Sequence, residues 1–297
     1  MAEANPTVRQ RELAARLREL RTGLDLTVDQ VAGKLLCSPT KVSRIETASR
    51  RASLRDVRDL CQIYGVSEQD AADLMNLARA AREPGWWTQY DDLKLSPYIG
   101  LEQEAVAITS FSMYFIHGLM QTEDYARAII RGIERKIDPR ILDERVEARI
   151  RRQELLTGET PPRYRALLDE AVLHREVGGK AVMREQLVKI LTLAAEDRMT
   201  VQIIPFSVGA HSSADSNFDL LEFDRSLLPS LVFVEGLVSQ LYLERPDEIR
   251  RYREALEYLR DAALSPRDSL RLIEKVRDAL GKIPAAGDYH VSSKENR

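Results

Sequence analysis

Two helix-start signals stand close together in "TVDQVAGKLLCSPTKVSRIE", residues 27–46, and their spacing constrains the chain more than any other feature. Thr27 opens a capping box, its hydroxyl accepting from the backbone of Gln30 while the Gln30 side chain reaches back. Ser38 is a second N-cap, and Pro39 takes the first helical position, where a missing N–H costs nothing. Only Leu36 and Cys37 separate the end of the first helix, near Leu35, from the second cap. Helices joined so tightly cannot lie antiparallel across a long loop, so they are expected to cross steeply as a helix-turn-helix.

The flanking sequence supplies a core for that motif. Apolar residues recur at three- and four-residue steps: Leu13, Leu17 and Leu20; Val31 and Leu35; Val42 and Ile45; then Leu54, Val57, Leu60 and Cys61; then Ala71, Leu74, Leu77 and Ala78. The pattern predicts five helices closing near Arg82, with Cys61 and Tyr64 inside. On a helical wheel, residues 38–47 turn Val42 and Ile45 to one side and Thr40, Ser43, Arg44 and Thr47 to the other, with Lys41 flanking. Charge agrees with an outward role. The chain carries −3 overall, yet residues 8–58 hold twelve Lys and Arg against six Asp and Glu, a local +6 that leaves −9 for the rest. A polyanion would meet the front of the molecule.

For DNA, Arg44 is placed to pair bidentately with guanine, Thr40 to reach a base edge or thymine methyl, and Lys41 to take a base or a phosphate. Thr27, Ser38 and the N–H groups of both helix starts suit phosphates, with Arg50 and Arg51 as backbone clamps. The stretch "LRTGLDLTVDQVAGKLLCSPTKVSRIETASRR" resembles the XRE family of helix-turn-helix regulators, with the lambda-repressor-like fold. The resemblance implies an ion pair between Arg21 and Glu46 and base-reading roles for Pro39, Thr40 and Arg44. Ala48 stands where that family commonly has glycine, so an altered exit from the recognition helix is expected in place of a left-handed turn.

Residues 83–100, "REPGWWTQYDDLKLSPYIG" with its preceding Arg82, break the helical period at Pro84, Gly85 and Pro97. Trp86, Trp87, Tyr90 and Tyr98 make this a structured hinge that docks, or alternatively an aromatic-lined pocket. Beyond it, strands are expected in "EAVAITSFSMYFI", "RYRALLDE", "TVQIIPF", "NFDLLEF", "SLVFVEG" and "QLYLE". Helices are expected in "TEDYARAIIRGI", "DPRILDERVEARIRRQELL", "AVMREQLVKILTLAAED", "PDEIRRYREALEYLRDAAL" and "SPRDSLRLIEKVRDAL". "VGGKAV", residues 177–182, reads as a strand-to-helix turn. The expected organisation is multidomain: a disordered tail at 1–7, an all-α five-helix DNA-binding domain at 8–82, the aromatic hinge at 83–100, a larger α/β or α+β effector or dimerisation domain at 101–283, and a disordered tail at 284–297. The order "GWW", "YIGLEQEA", "HGLMQTEDYAR", "ERVEARIRRQELL", "MREQL", "VQIIPF", "SPRDSL" resembles the domain of unknown function attached to many actinobacterial XRE regulators. That resemblance implies roles in development or secondary metabolism and a small partner protein encoded nearby.

Catalytic signatures are sparse. The four histidines, His117, His174, His211 and His290, form no H-E-x-x-H, and Cys37 and Cys61 cannot complete a zinc site, so no metal and no cofactor are expected. G-x-S-x-G and P-loop spacings are missing. The rhythm around "LLDEAVLHRE" resembles phospholipase-D-like folds, without an H-x-K and downstream Asp. His117 reads as a satisfied histidine, and Asp169, Glu170, Asp215 and Asp219 as turn or strand-end carboxylates. The candidate small-molecule contacts are Trp86, Trp87, Tyr90, His117, Gln121 and Tyr125. No apolar run approaches the roughly 18 residues of a membrane span, and "MAEANPTVRQRE" lacks a signal-peptide core. The reading is a cytoplasmic, non-enzymatic regulator of double-stranded DNA, a homodimer, whose C-terminal domain senses a small molecule or binds a partner protein. An antitoxin-like DNA binder, or a hydrolase carrying a DNA-binding module, are the alternatives.

Overall fold

A computed structural model describes residues 7–90, 96–212, 216–224, 228–236 and 239–281. The expected tail at 284–297 and Asp215 lie outside the described residues. The N-terminal helical region is built from α1 (Val8–Gly23), α2 (Val28–Lys34), α3 (Pro39–Glu46), α4 (Leu54–Tyr64) and α5 (Glu68–Ala80). All five are capped by the hydroxyl before them, from Thr7, Thr27, Ser38, Ser53 and Ser67. Their shared core holds Leu13, Leu17, Val31, Val42, Ile45, Val57 and Leu60, with Cys61 and Tyr64 among them as the periodicity predicts.

The helices end as sharply as they begin. At the end of α2 the Cys37 N–H donates to Ala32 O (3.0 Å) and the Leu36 N–H to Gly33 O (3.3 Å). This is the Schellman arrangement, with leucine in the left-handed position that glycine usually fills (φ +53°). α1 closes the same way around Asp25, through Leu26 to Arg21 O and Asp25 to Thr22 O. At α3 the expectation is corrected: Ala48 keeps the left-handed turn (φ +56°) despite its Cβ. The reason is local. The Gln10 side chain donates to Ala48 O at 2.7 Å and the Arg50 N–H to Arg44 O at 2.9 Å, so the strained residue is held from both sides.

The junction is not irregular throughout. Trp86–Gln89 form a 3-10 turn, and α6 (Ser96–Gln103) begins inside the stretch expected to be a hinge. Pro97 lies in the first turn of α6, where proline is tolerated, and so starts a helix where it was read as a breaker. The C-terminal domain then runs β1 (Ala107–Ser112), α7 (Glu123–Ile133), α8 (Pro139–Arg152), β2 (Arg163–Asp169), α9 (Ala171–His174), α10 (Lys180–Ala195), β3 (Thr200–Ile204), β4 (Phe218–Glu222), β5 (Leu231–Glu235), β6 (Gln240–Leu243), α11 (Pro246–Ala262) and α12 (Pro266–Leu280). The strands form one six-stranded mixed sheet in the order β3-β2-β1-β4-β5-β6. β2 and β3 pair in parallel, Leu168 against Ile203, while β4, β5 and β6 pair antiparallel. The "VGGKAV" expectation is corrected: Gly178 and Gly179, both at positive φ, link α9 to α10, so the turn joins two helices.

Contacts group the chain into two compact units. The first comprises residues 1–110, 155–164 and 218–254, and therefore holds the helical region together with β4, β5 and β6. Here α1 reaches the sheet side of its own unit through Arg9 Nε to Glu104 (3.1 Å) and an Arg11–Glu244 ion pair. The second comprises 111–154, 165–217 and 255–297. Its parallel strands are buried on both faces, which is why Leu167, Leu168, Ile203 and Ile204 form near-continuous apolar runs. α12 is tied to β3 by buried Ser269, whose Oγ accepts from the Ile203 N–H at 2.9 Å.

Candidate nucleic-acid interface

α3 is short, and an isolated eight-residue helix would be marginal in water, so its shape depends on tertiary bonds. Three hold it. Arg21, at the end of α1, donates through Nε and NH2 to both oxygens of Glu46 at 2.8–3.0 Å and through NH1 to Leu26 O at 2.7 Å. Lys41 Nζ lies 2.5 Å from Asp56 Oδ1, while Asp56 completes a capping box with Ser53 at the start of α4. Gln10 grips Ala48 O beyond the last turn. Burial pushes the Asp56 carboxyl up, but the hydrogen bonds from Lys41 and Ser53 outweigh it and leave the pKa below its ordinary value. At Arg21 the bond from Glu46 dominates and raises the guanidinium pKa further.

With Val42 and Ile45 buried, α3 turns Thr40, Ser43, Arg44 and Thr47 outward as exposed side chains, and Pro39 is exposed at its first turn. Thr27 and Ser38 are exposed at two helix starts, their hydroxyls accepting from the Gln30 and Lys41 N–H groups at 3.2 and 3.3 Å. Arg50 and Arg51 are exposed just past α3, and among the described residues no carboxylate pairs with either. Lys41 is the exception within the set. Its ammonium is committed to Asp56, so any contact it makes to a base or phosphate competes with that pair. The signal for this was legible: Asp56 is third after Ser53, a capping-box position. Its approach to Lys41 was not.

The candidate small-molecule contacts fall in both units. In the first, Trp86 meets Trp87 and Tyr90 edge-on with centroids 6.0 and 6.1 Å apart. The Trp87 ring lies on Gly85 and Gly100; a Cβ at Gly100 would come within 2.8 Å of it. In the second, the loop 116–122 is filled by its own bonds. Tyr125 Oη accepts from Ile116 N–H (3.2 Å) and Gln121 Nε2 donates to Ile116 O (2.6 Å). Gln186 and Lys189 of α10 and Gln153 bind the loop backbone at Met120, Thr122, Gln121 and Gly118, at 2.7–2.8 Å. Tyr125 is fully buried, which pushes its hydroxyl up to about 12, and His117 Nδ1 accepts from Leu119 N–H while Nε2 faces Arg152. Asp219 lies within β4 and accepts from Tyr98 Oη at 2.9 Å. Among the described residues, no group of His, Cys, Asp and Glu is arranged to hold a metal ion, and no helix is long and apolar enough to cross a membrane.

Two short, capped helices joined by a Schellman turn, with the second turning a polar face outward, define a helix-turn-helix protein. Residues 12–74 match the family described as Helix-turn-helix domain, and residues 95–275 match Domain of unknown function (DUF5753). The chain belongs to the DUF5753 family, with a helix-turn-helix domain ahead of it, which bears out the resemblance of both regions. No curated protein and no solved structure matches the chain.

Proposed function

We propose that this chain is a sequence-specific transcription regulator of double-stranded DNA in the cytoplasm, reading bases with Thr40 and Arg44 of α3. Pro39 sets the start of the reading helix, Lys41 takes a secondary part, and Thr27, Ser38, Arg50 and Arg51 meet phosphates. The observation that carries the reading is the exposed polar face of a helix locked by Arg21–Glu46, Lys41–Asp56 and Gln10–Ala48. A locked helix loses little further entropy on docking, so its base contacts translate into discrimination. One such helix reads only a few base pairs. A homodimer spanning half-sites about 34–36 Å apart multiplies the contacts. The DUF5753 domain adjusts this binding, as sensor or as docking platform.

Fluorescence anisotropy on the DNA upstream of its own gene and on a scrambled duplex, at about 150 mM salt, tests the reading. A preference of roughly a thousandfold is expected, lost in the Thr40→Ala/Arg44→Ala double variant with its melting unchanged. Arg50→Ala with Arg51→Ala should weaken both duplexes alike and reduce the salt slope by about 1 per residue. Equal binding of the two duplexes by the native protein, alone or in the presence of a co-purified partner, counts against it.

A further inference from the structure

The first compact unit contains a cleft of about 480 Å³, within the roughly 300–1,000 Å³ range of small-molecule sites. One wall is α1 and the exit of α3 at Thr47 and Ala48; the other is Leu101 and the approach to β5, with Glu244 following β6. The space exists because the helical wall is lined by Ala14, Ala15 and Ala48, three residues whose side chains stop at Cβ. Val8, Ala14, Leu101 and Leu231 give it an apolar floor, all at most 4 % exposed. One cation is set into that floor. The Arg11 guanidinium is so far from water that burial lowers its pKa to about 10, and it pairs there with Glu244. Arg18 and Glu19 also line the cleft, as does Glu46, whose charge is met by Arg21, and Arg11 is the cation at the apolar floor.

A desolvated guanidinium demands an anion, and Glu244, at 39 % side-chain exposure, is the partner that can swing away into water. Exchanging one carboxylate for another conserves the charge balance at Arg11, whereas a neutral ligand gains nothing there and a cation is repelled. We propose that this cleft binds a small organic carboxylate, its charge on Arg11 in place of Glu244 and its apolar body against Val8, Ala14 and Leu231. The site adjoins the reading helix. Residue 10 of the same turn of α1 holds Ala48 O, and Glu46 of the cleft wall carries Arg21. A ligand that resets the first turn of α1 therefore acts on the exit of α3. The binding claim stands on the cleft; only its consequence for DNA rests on the regulator reading.

The test uses the full chain with 4-phenylbutyrate and its neutral analogue 4-phenylbutanol, followed by calorimetry and by melting, to about 10 mM because a first probe binds in the millimolar range. The acid should bind saturably and at least fivefold tighter than the alcohol. Glu244→Gln removes the competing carboxylate and should tighten the acid at least threefold, while Ala15→Phe fills the cleft and should abolish its binding. With the acid bound, the dissociation constant for DNA should change at least threefold. Equal binding of acid and alcohol, unaltered binding in Glu244→Gln, or no binding of the acid to either the native chain or Glu244→Gln overturns the proposal, and these readouts stand even if Ala15→Phe fails to fold. An acid that binds as expected to a protein with no affinity for DNA upholds the cleft and counts against the regulator reading alone.

Discussion

Residues 38–44 and 116–125 each carry polar side chains about a helix start capped by a hydroxyl, Ser38 or Thr122, and they end in opposite states. Around α3, Val42 and Ile45 supply the buried packing, while Glu46, Lys41 and the Ser38 cap make the bonds that hold the helix, so Thr40, Ser43 and Arg44 stay at the surface. In the 116–122 loop the polar groups are consumed. Gln121, Gln153, Gln186 and Lys189 satisfy the backbone, and Tyr125 and Gln121 are buried in the process. The lesson is about burial. A polar residue can recognise a ligand only where folding leaves it at the surface, and residue type alone does not reveal that.

The contrast can be broken at three points, taken from the largest effect down. Gln186→Ala leaves the Thr122 N–H and Met120 O without their side-chain partner in a fully buried site. It should cost about 2–4 kcal/mol in urea unfolding and leave DNA affinity unchanged below the melting range. Asp56→Asn strikes the scaffold of the reading helix and should cost about 1–2 kcal/mol at pH 7, seen as a lower midpoint in denaturant. Because the folded Asp56 pKa is lowered, its contribution is complete above the unfolded value of about 4 and disappears as pH falls through the folded value. The stability difference between the native chain and the Asp56→Asn variant should therefore shrink as pH falls below about 4. Leu36→Gly is the smallest. Leu36 is 93 % exposed and left-handed, so glycine removes strain with no apolar contact to lose and should stabilise by about 1 kcal/mol, read as a rise in melting temperature.

Much of the fold was legible because its signals are local. Thr27 and Ser38 announce helix starts through bonds to residues three positions on, and a three-to-four-residue apolar period assigns the buried face. The six strands were legible for the same reason. What misled were cases in which a residue's usual role and its actual context differ: Pro97 begins α6, Ala48 occupies a glycine-like turn because Gln10 holds it, and the glycines at 178–179 join helices. The outward set Thr40, Ser43, Arg44 and Thr47 follows from the wheel alone. That Lys41 is held by Asp56, fifteen positions away, does not.

The sequence by itself determined the helices, the strands and the polar face of α3, since each depends on neighbours within a few residues. Tertiary structure alone decided which of those polar groups remain at the surface, and it alone made the cleft, where Arg11 meets Glu244 across more than two hundred residues. Capping and periodicity are set by bonds whose partners lie one turn away. Desolvation and charge pairing are set by whatever the folded chain brings within a few ångströms, and no local pattern encodes that.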